Sequence, residues 1–454
     1  MHFGLDPYVP YIEYSALLVT LVLTVFWRPI LGIYVVIPLI PLQTLRYRLN
    51  DLPFGSSVLG IVLVAVALGL MIKRKPILPA TSWTFLLAGY CGFTFLSLCL
   101  GSAYLEQPFP WPGDPRFGVW QDYMIMPALL LLVAAITPSR TQMKAMVVVM
   151  CLSTLALDYS FWNNVSSRDY SSYSNQLRSV ESSMGYAGTN GLAAFGAQVT
   201  ALLLALAGFE RSFWLRVSYY ALACFSVVCT VYSLSRGGYA ALAVGVCFLA
   251  VAKNRKLILV ILLFLLTWTI VLPQAVQERI GMSYDPQSGS LDHSAEARIT
   301  MWEDSLQLIT SNPLLGTGFD TYAYMHRQKR ADGGVGYYED THNIFLKVLV
   351  ESGIVGLLLF LWVTAKTFLV GLRLYLRGRD PLYRALGLGL AAWVLCSLTA
   401  NCFGDRWTLL QVNGYMWILA GMACTAWKAN LSEAVPARQV VTEDVSLSPF
   451  PVRL

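Results

Sequence analysis

The sequence predicts an all-α, polytopic membrane helix bundle, on three observations. Of 454 residues, 56% are hydrophobic and only 13% charged, whereas soluble domains carry about 25% charged residues. Apolar runs long enough to cross a bilayer recur along almost the whole chain. Basic residues in the short loops fall on alternate loops, as the positive-inside rule requires.

The elements follow in order. Met1–Pro10 lacks the basic start and small-residue cleavage site of a leader, so no cleavable signal peptide is expected. Residues 12–42 are apolar but interrupted at Phe26–Pro29, giving two short spans or one span plus a re-entrant piece. Further spans are expected at 57–73, 80–100, 118–137, 143–160, 188–208, 213–234, 238–253, 256–273, 343–370, 382–402 and 409–427. The total is 12 or 13 crossings, each of roughly 20 residues. Lys73–Lys75, Arg140 with Lys144, Arg211 with Arg216, Lys253–Lys256, and Arg373 to Arg384 mark cytoplasmic loops. The opposite loops, 101–117, 159–187, 235–238, 274–342 and 404–407, then face outward. The expected organisation is an N-terminal bundle over 1–273, an outward loop over 274–342, membrane helices over 343–427 and a disordered cytoplasmic tail over 428–454.

The 274–342 segment is the one large hydrophilic stretch. Ile299, Trp302, Leu306 and Ile309 fall at helical spacing, which predicts an amphipathic helix on the outer membrane surface, capping the bundle. Ser311–Pro313 stops it and Gly316–Gly318 follows as a turn. The segment carries roughly twice as many acidic as basic residues, so bulk charge does not advertise anion binding; specific arginines would have to supply it. His326–Arg330 reads as a solvated basic run.

Composition excludes several classes. Nine cysteines without a CxxC pair form neither a zinc site nor a disulfide framework. A net charge of +6 is too small for a nucleic-acid partner. No outward DxD pair, metal-ligand spacing or nucleotide-binding loop is present, so no metal and no cofactor is expected.

Four constellations remain. His342 stands where the polar segment enters an apolar helix. On an ideal helix His342, Leu349, Gly353 and Gly356 lie within roughly 40° of one line. Small residues on that face admit a neighbouring helix, which turns His342 toward the bundle mouth. An imidazole, with an unperturbed pKa of about 6.5, suits proton transfer at neutral pH. Glu339 and Asp340 stand ready to orient its ring; the structural alternative is a histidine that only starts a helix. Arg236 lies at a tight turn between two apolar helices, beside Ser235 and two glycines. Accessible backbone N–H groups there favour a phosphate, against the alternative of an arginine reaching out to the interface. Arg298 near the start of the amphipathic helix reads alone as a surface residue. Asn190, at the start of a span, reads first as a helix cap. Asp122, Lys347 and Glu351 lie near membrane depth, and Lys347 and Glu351, four apart, are spaced to pair.

Taken together and in order, "SRGGY", then "R…W…P…GTG", then "THN" and a glycine-rich span resemble the bacterial O-antigen ligase superfamily. It comprises O-antigen ligases, O-antigen polymerases and protein O-oligosaccharyltransferases. Its signature, His-[Asn/Ser/Gln], nine residues, Gly, two residues, Gly/Thr/Tyr, is met without a gap by His342-Asn343, Gly353 and Gly356. The resemblance is best over about 185–370. It implies a GT-C-like bundle with its active site on the periplasmic side of the bacterial inner membrane. It further implies a donor glycan on undecaprenyl pyrophosphate, and a glycan, lipid A–core or protein acceptor. By motif, His342 corresponds to the catalytic histidine, and Arg236 and Arg298 to the arginines that hold pyrophosphate. Support from Asn343, Asp340, Asn190, Gly353 and Gly356 is an expectation of position. The resemblance also implies inversion at the anomeric carbon without a metal. The competing class is a transporter or flippase of lipid-linked glycans, for which repeated halves and broken helices would be the sign.

Overall fold

The protein is described by a computed structural model covering residues 8–79, 81–178, 184–253, 255–282, 293–331 and 340–432. Among these every regular element is a helix. The first half contains α1 (Val9–Phe26), α2 (Ile30–Leu39), α3 (Gln43–Tyr47), α4 (Val58–Ile72), α5 (Ser82–Tyr104), α6 (Pro115–Ile136), α7 (Arg140–Val165), α8 (Asn175–Arg178) and α9 (Gly188–Phe209). The second half contains α10 (Phe213–Tyr232), α11 (Arg236–Ala252), α12 (Lys256–Val271), α13 (Gln274–Gly281), α14 (His293–Ser311), α15 (Thr321–Ala331), α16 (Ile344–Arg377), α17 (Pro381–Asn401) and α18 (Leu410–Ser432).

Local chemistry sets many of these starts. Asp114 and Asp380 cap α6 and α17, each followed by proline at the first helical position. Ser139 and Gln142 form a reciprocal capping box at α7. The nearly fully buried α9 is the axis, with α10, α11 and α17 packed around it.

Nine helices among the described residues are long and apolar enough to cross a membrane, or ten if the pair α12 and α13, bent by 112°, counts as one span. The expected 12 or 13 is reached only by adding α18 and the short apolar helices α2 and α11. The ambiguity at 12–42 resolves into one spanning helix, α1, and a ten-residue buried helix, α2, split at Trp27–Pro29. Helix α18 continues to Ser432, past the expected start of the tail at 428; residues 433–454 lie outside the described residues. All nine cysteines are free.

Both sets of loops segregate as their charges predict. The basic loops meet at one end, where Arg140 pairs with Asp380 at 2.6 Å and Asn430 bonds the backbone of Arg377 and Arg379. The described parts of the other five polar loops meet one another: Arg178, Arg236, Arg279, Arg298 and Arg406 line one cleft, and Gly101 packs on Gly318.

Helix α16 is broken at Gly353 (φ +60°, ψ −166°). The backbone groups freed there are taken up by the "PLLGTG" segment. Ile354 N–H donates to Pro313 O (3.0 Å) and Val355 N–H to Leu314 O (3.3 Å). The carbonyls of Val350 and Glu351 accept from the N–H groups of Thr317 (2.7 Å) and Gly318 (2.9 Å). Ser97 Oγ of α5 also donates to Glu351 O, at 2.9 Å. A Cβ at position 353 would lie 2.2 Å from Leu314 O, so only glycine fits.

This corrects the expected shared face. His342 precedes the helix with φ +50°, and Gly353 admits a loop's backbone, not another helix. Gly356 does face α5, where an added Cβ would lie 3.1 Å from the Phe93 ring. The stripe on α14 also divides. Ile299 and Leu306 are exposed, while Met301 and Ser305 pack inward.

Replacing Gly353 with alanine should destabilise the detergent-solubilised protein by at least about 1–3 kcal/mol, from strain and the clash with Leu314. Gly92→Ala, inside α5 where an added Cβ meets nothing within 4 Å, should hold the unfolding midpoint or raise it slightly.

Candidate active site: an arginine cleft beside a histidine–carboxylate cluster

A cleft of about 320 Å³ lies at the polar-loop end of the bundle, lined among the described residues by Arg178, Arg236, Arg279, Arg298 and Arg406 and by no acidic side chain. Four of the five polar loops contribute an arginine each or more. Taken together these loops are acidic on balance along the sequence, but the fold gathers these five arginines on one side.

The "SRGG" turn builds the floor. Leu234 takes a left-handed conformation (φ +55°) and is fully buried against Leu177, Ala275 and Val276. That apolar pin presses α8 and α13 beneath the turn. Ser235 then caps α11, its Oγ accepting from Gly238 N–H at 3.4 Å. Gly238 lets α11 lie directly on α9, since a Cβ there would sit 2.4 Å from Ala193 Cβ. The cleft therefore faces the N-terminal end of α11, where the helix dipole favours an anion.

Asn190 is not a helix cap. It sits within the first turn of α9, and its Oδ1 accepts from Ser235 Oγ (2.7 Å) and Arg178 Nη2 (3.2 Å). Arg236 donates to Met282 O at 2.6 Å. Arg279 is 5% exposed, with its guanidinium over the Tyr173 ring at 5.0 Å. Arg298, a surface residue by sequence, enters the cleft because α14 turns Met301 and Ser305 into the bundle.

His342 does not line this cleft; it belongs to an adjoining cluster. Its left-handed backbone is held by Asp340, whose Oδ1 accepts from His342 N–H and whose Oδ2 lies 3.0 Å from His342 Nδ1. The intervening Thr341 is fully buried; its carbonyl accepts from Trp302 Nε1 of α14 at 3.0 Å. Asn343 is the cap of α16, accepting from Phe345 and Leu346 N–H at 2.9 and 3.3 Å. Glu339 lies outside the described residues.

Behind Asp340 lies Asp405, which Lys347 bonds at 2.8 Å. Lys347 thus pairs with Asp405 and not with Glu351 as its spacing suggested. Glu351 is buried one turn below, its Oε1 accepting no hydrogen bond among the described residues. Burial alone would raise the Asp340 carboxyl. The close approach and charge of His342, with Asp405 and Arg406 behind, hold it below the usual carboxylate range. Burial pushes the Asp405 carboxyl up; Lys347 pulls it back and Asp340 raises it again, leaving it at about 6. Two neighbouring carboxylates thus divide into one held ionised and one that readily takes a proton.

The supposed solvated run is also partly internal. His326 is buried, with Nε2 3.2 Å from Asp304, and Arg327 pairs with Asp320 at 3.2 Å.

So the structure unites Arg236, Arg298 and Asn190 in one cleft, and His342, Asp340 and Asn343 in the cluster beside it. Gly353 and Gly356 act at a distance, through α16. Sequence reasoning missed Arg178, Arg279, Arg406 and Asp405. The signal for the arginines was present: all three stand on loops grouped as outward. No metal-binding group of His, Cys, Asp or Glu occurs among the described residues.

A protonated carboxyl band in difference infrared spectra should disappear as pH rises through about 6, because a raised pKa keeps the native group protonated below it. The band should be absent from Asp405→Asn.

Residues 220–361 match the O-antigen ligase family; this match supports the resemblance to the O-antigen ligase superfamily and, in general terms, an O-antigen ligase- or polymerase-type glycosyltransferase. The matched region contains Arg236, Arg279, Arg298 and His342. A comparison with curated proteins gives no match.

Proposed function

We propose, from its match to the O-antigen ligase family over residues 220–361, that the chain transfers a glycan from undecaprenyl pyrophosphate to an acceptor hydroxyl. The reaction takes place at the outer face of the bacterial inner membrane. The observation that carries this reading is the cleft lined, among the described residues, by five arginines and no acid, next to a histidine clasped by a carboxylate.

Guanidinium forks suit a pyrophosphate, and their charge stabilises it as a leaving group. Arg236 and Arg298 hold it, with Arg178, Arg279 and Arg406 completing the cradle. Asp340 faces His342 Nδ1, so Nε2 is the nitrogen that takes the acceptor proton. The acceptor oxygen then bonds to the anomeric carbon, and the bond to the phosphate oxygen breaks, its electron pair leaving with undecaprenyl pyrophosphate. Attack opposite the departing group in one step inverts the anomeric centre. Charge neutralisation by arginine needs no metal ion. The acceptor is a second lipid-linked glycan, lipid A–core or a protein hydroxyl.

The break in α16 is the feature a transporter would use. Here Pro313–Gly318 takes up the freed carbonyls of Val350 and Glu351 and the freed N–H groups of Ile354 and Val355. They are therefore not left to coordinate an ion.

Transfer is measured in proteoliposomes with an undecaprenyl-pyrophosphate oligosaccharide and those three acceptor types. His342→Ala should lower kcat by about 10²–10⁴-fold. Arg236→Ala and Arg279→Gln should lower kcat/KM for the donor, and EDTA should leave the wild-type rate unchanged. A wild-type rate in His342→Ala would refute the assignment. Movement of lipid-linked glycan across the bilayer without a new glycosidic bond would replace this reading with transport.

A further inference from the structure

One turn joins the two halves of the site. Asp405 and Arg406 are consecutive, yet Arg406 lines the cleft while Asp405 reaches Lys347 on the histidine side. The turn is fixed from the bundle core by Asn413. Its amide donates to the carbonyls of Arg406 (3.0 Å) and Trp407 (3.1 Å). Its Oδ1 accepts from Ser397 (2.8 Å) and Gln198 (3.2 Å). Asn413, Ser397 and Gln198 have no exposed surface. Lys347 lies on the first turn of α16, its N–H bonded to the carbonyl of the cap Asn343 at 3.0 Å. The ion pair therefore ties the histidine's helix to the turn that presents an arginine to the cleft.

We propose that Lys347 and Asp405 are positioning residues of the transfer reaction: their ion pair sets the charge beside the His342–Asp340 pair and holds Arg406 in register with it. This inference rests on the glycosyltransferase reading above. Asp340 faces His342 directly; Asp405 and Arg406 on the turn face Asp340, and Lys347 faces Asp405, Glu351 and, before α15, Asp320. Two adjacent carboxylates resist joint ionisation unless a cation stands between them and the interior. Lys347 is that cation. With both ionised, the imidazolium formed when His342 takes the acceptor proton is stabilised. An ion pair that merely held the fold would be a poor use of two desolvated charges, since an apolar pair of similar volume is often as stable.

Charge bookkeeping gives the test. Asp405→Asn removes an anion but leaves Lys347, which disfavours the imidazolium. The acidic limb of the rate profile should move to lower pH by about one unit. Adding Lys347→Met removes the excess cation, and the limb should return to the wild-type position. The full-length protein is assayed in proteoliposomes from about pH 5 to 9. The readout is release of undecaprenyl pyrophosphate from an undecaprenyl-pyrophosphate oligosaccharide, with the same acceptor panel. Both variants should lose kcat and, because Arg406 loses its register, raise donor KM, though by less than Arg406→Gln does. Asp405→Glu keeps the charge but displaces the turn, so it should lower kcat with the limb unmoved. It also serves if Asp405→Asn is too slow to profile. A limb that stays in place in Asp405→Asn, or moves in Asp405→Glu, overturns the proposal while leaving the transferase intact. Absence of release by the wild type would instead refute the transferase reading itself.

Discussion

The break in α16 at Gly353 is the constraint on which the site depends. In lipid, a helix that stops must find partners for its freed backbone groups within the protein. Here the partners come from Pro313–Gly318, the stretch between the helix that carries Arg298 and the helix that follows it. One junction therefore anchors two things. It fixes the first part of α16, which begins just after His342 and carries Lys347. It also fixes the end of α14, whose other residues bring Arg298 to the cleft and bond the backbone beside His342.

The electrostatics follow the same economy of position. The 274–342 segment is acidic on balance, yet among the described residues every charged side chain lining the cleft it helps to form is an arginine. Charge summed along a chain is a poor guide to charge gathered in space. The reverse holds two residues from the cleft's edge: Asp340 and Asp405 are drawn together despite their like charge, because His342, Arg406 and Lys347 surround them.

Much of this was legible in the sequence because the bilayer imposes simple rules. Long apolar runs gave the spans, and alternating basic loops gave the two ends that the fold separates. The tight turn at Ser235–Gly238 marked the cleft's floor, and the His342 motif marked the cluster. What failed was geometry that depends on distant partners. A helical wheel drawn through His342, Leu349, Gly353 and Gly356 assumes one unbroken helix, and the break arises from Leu314, nearly 40 residues away. The pairing of Lys347 with Asp405 spans 58 positions, so local spacing pointed instead to Glu351. Asn190 looked like a cap because asparagine favours that position; the helix begins earlier, and its side chain is spent on Ser235 and Arg178.

The junction at Gly353 also bears on how the chain is assembled. Ser97 is separated from Glu351 by 254 residues, so α5 is made long before its partner. The segment 313–318 is likewise complete before α16 exists. During synthesis the polar segment must wait, with its glycine turn undocked, until α16 arrives to be broken around it. Closure of the site is thus a late event in biogenesis: the cleft acquires its final form only when α16, α17 and the turn before α18 have been delivered.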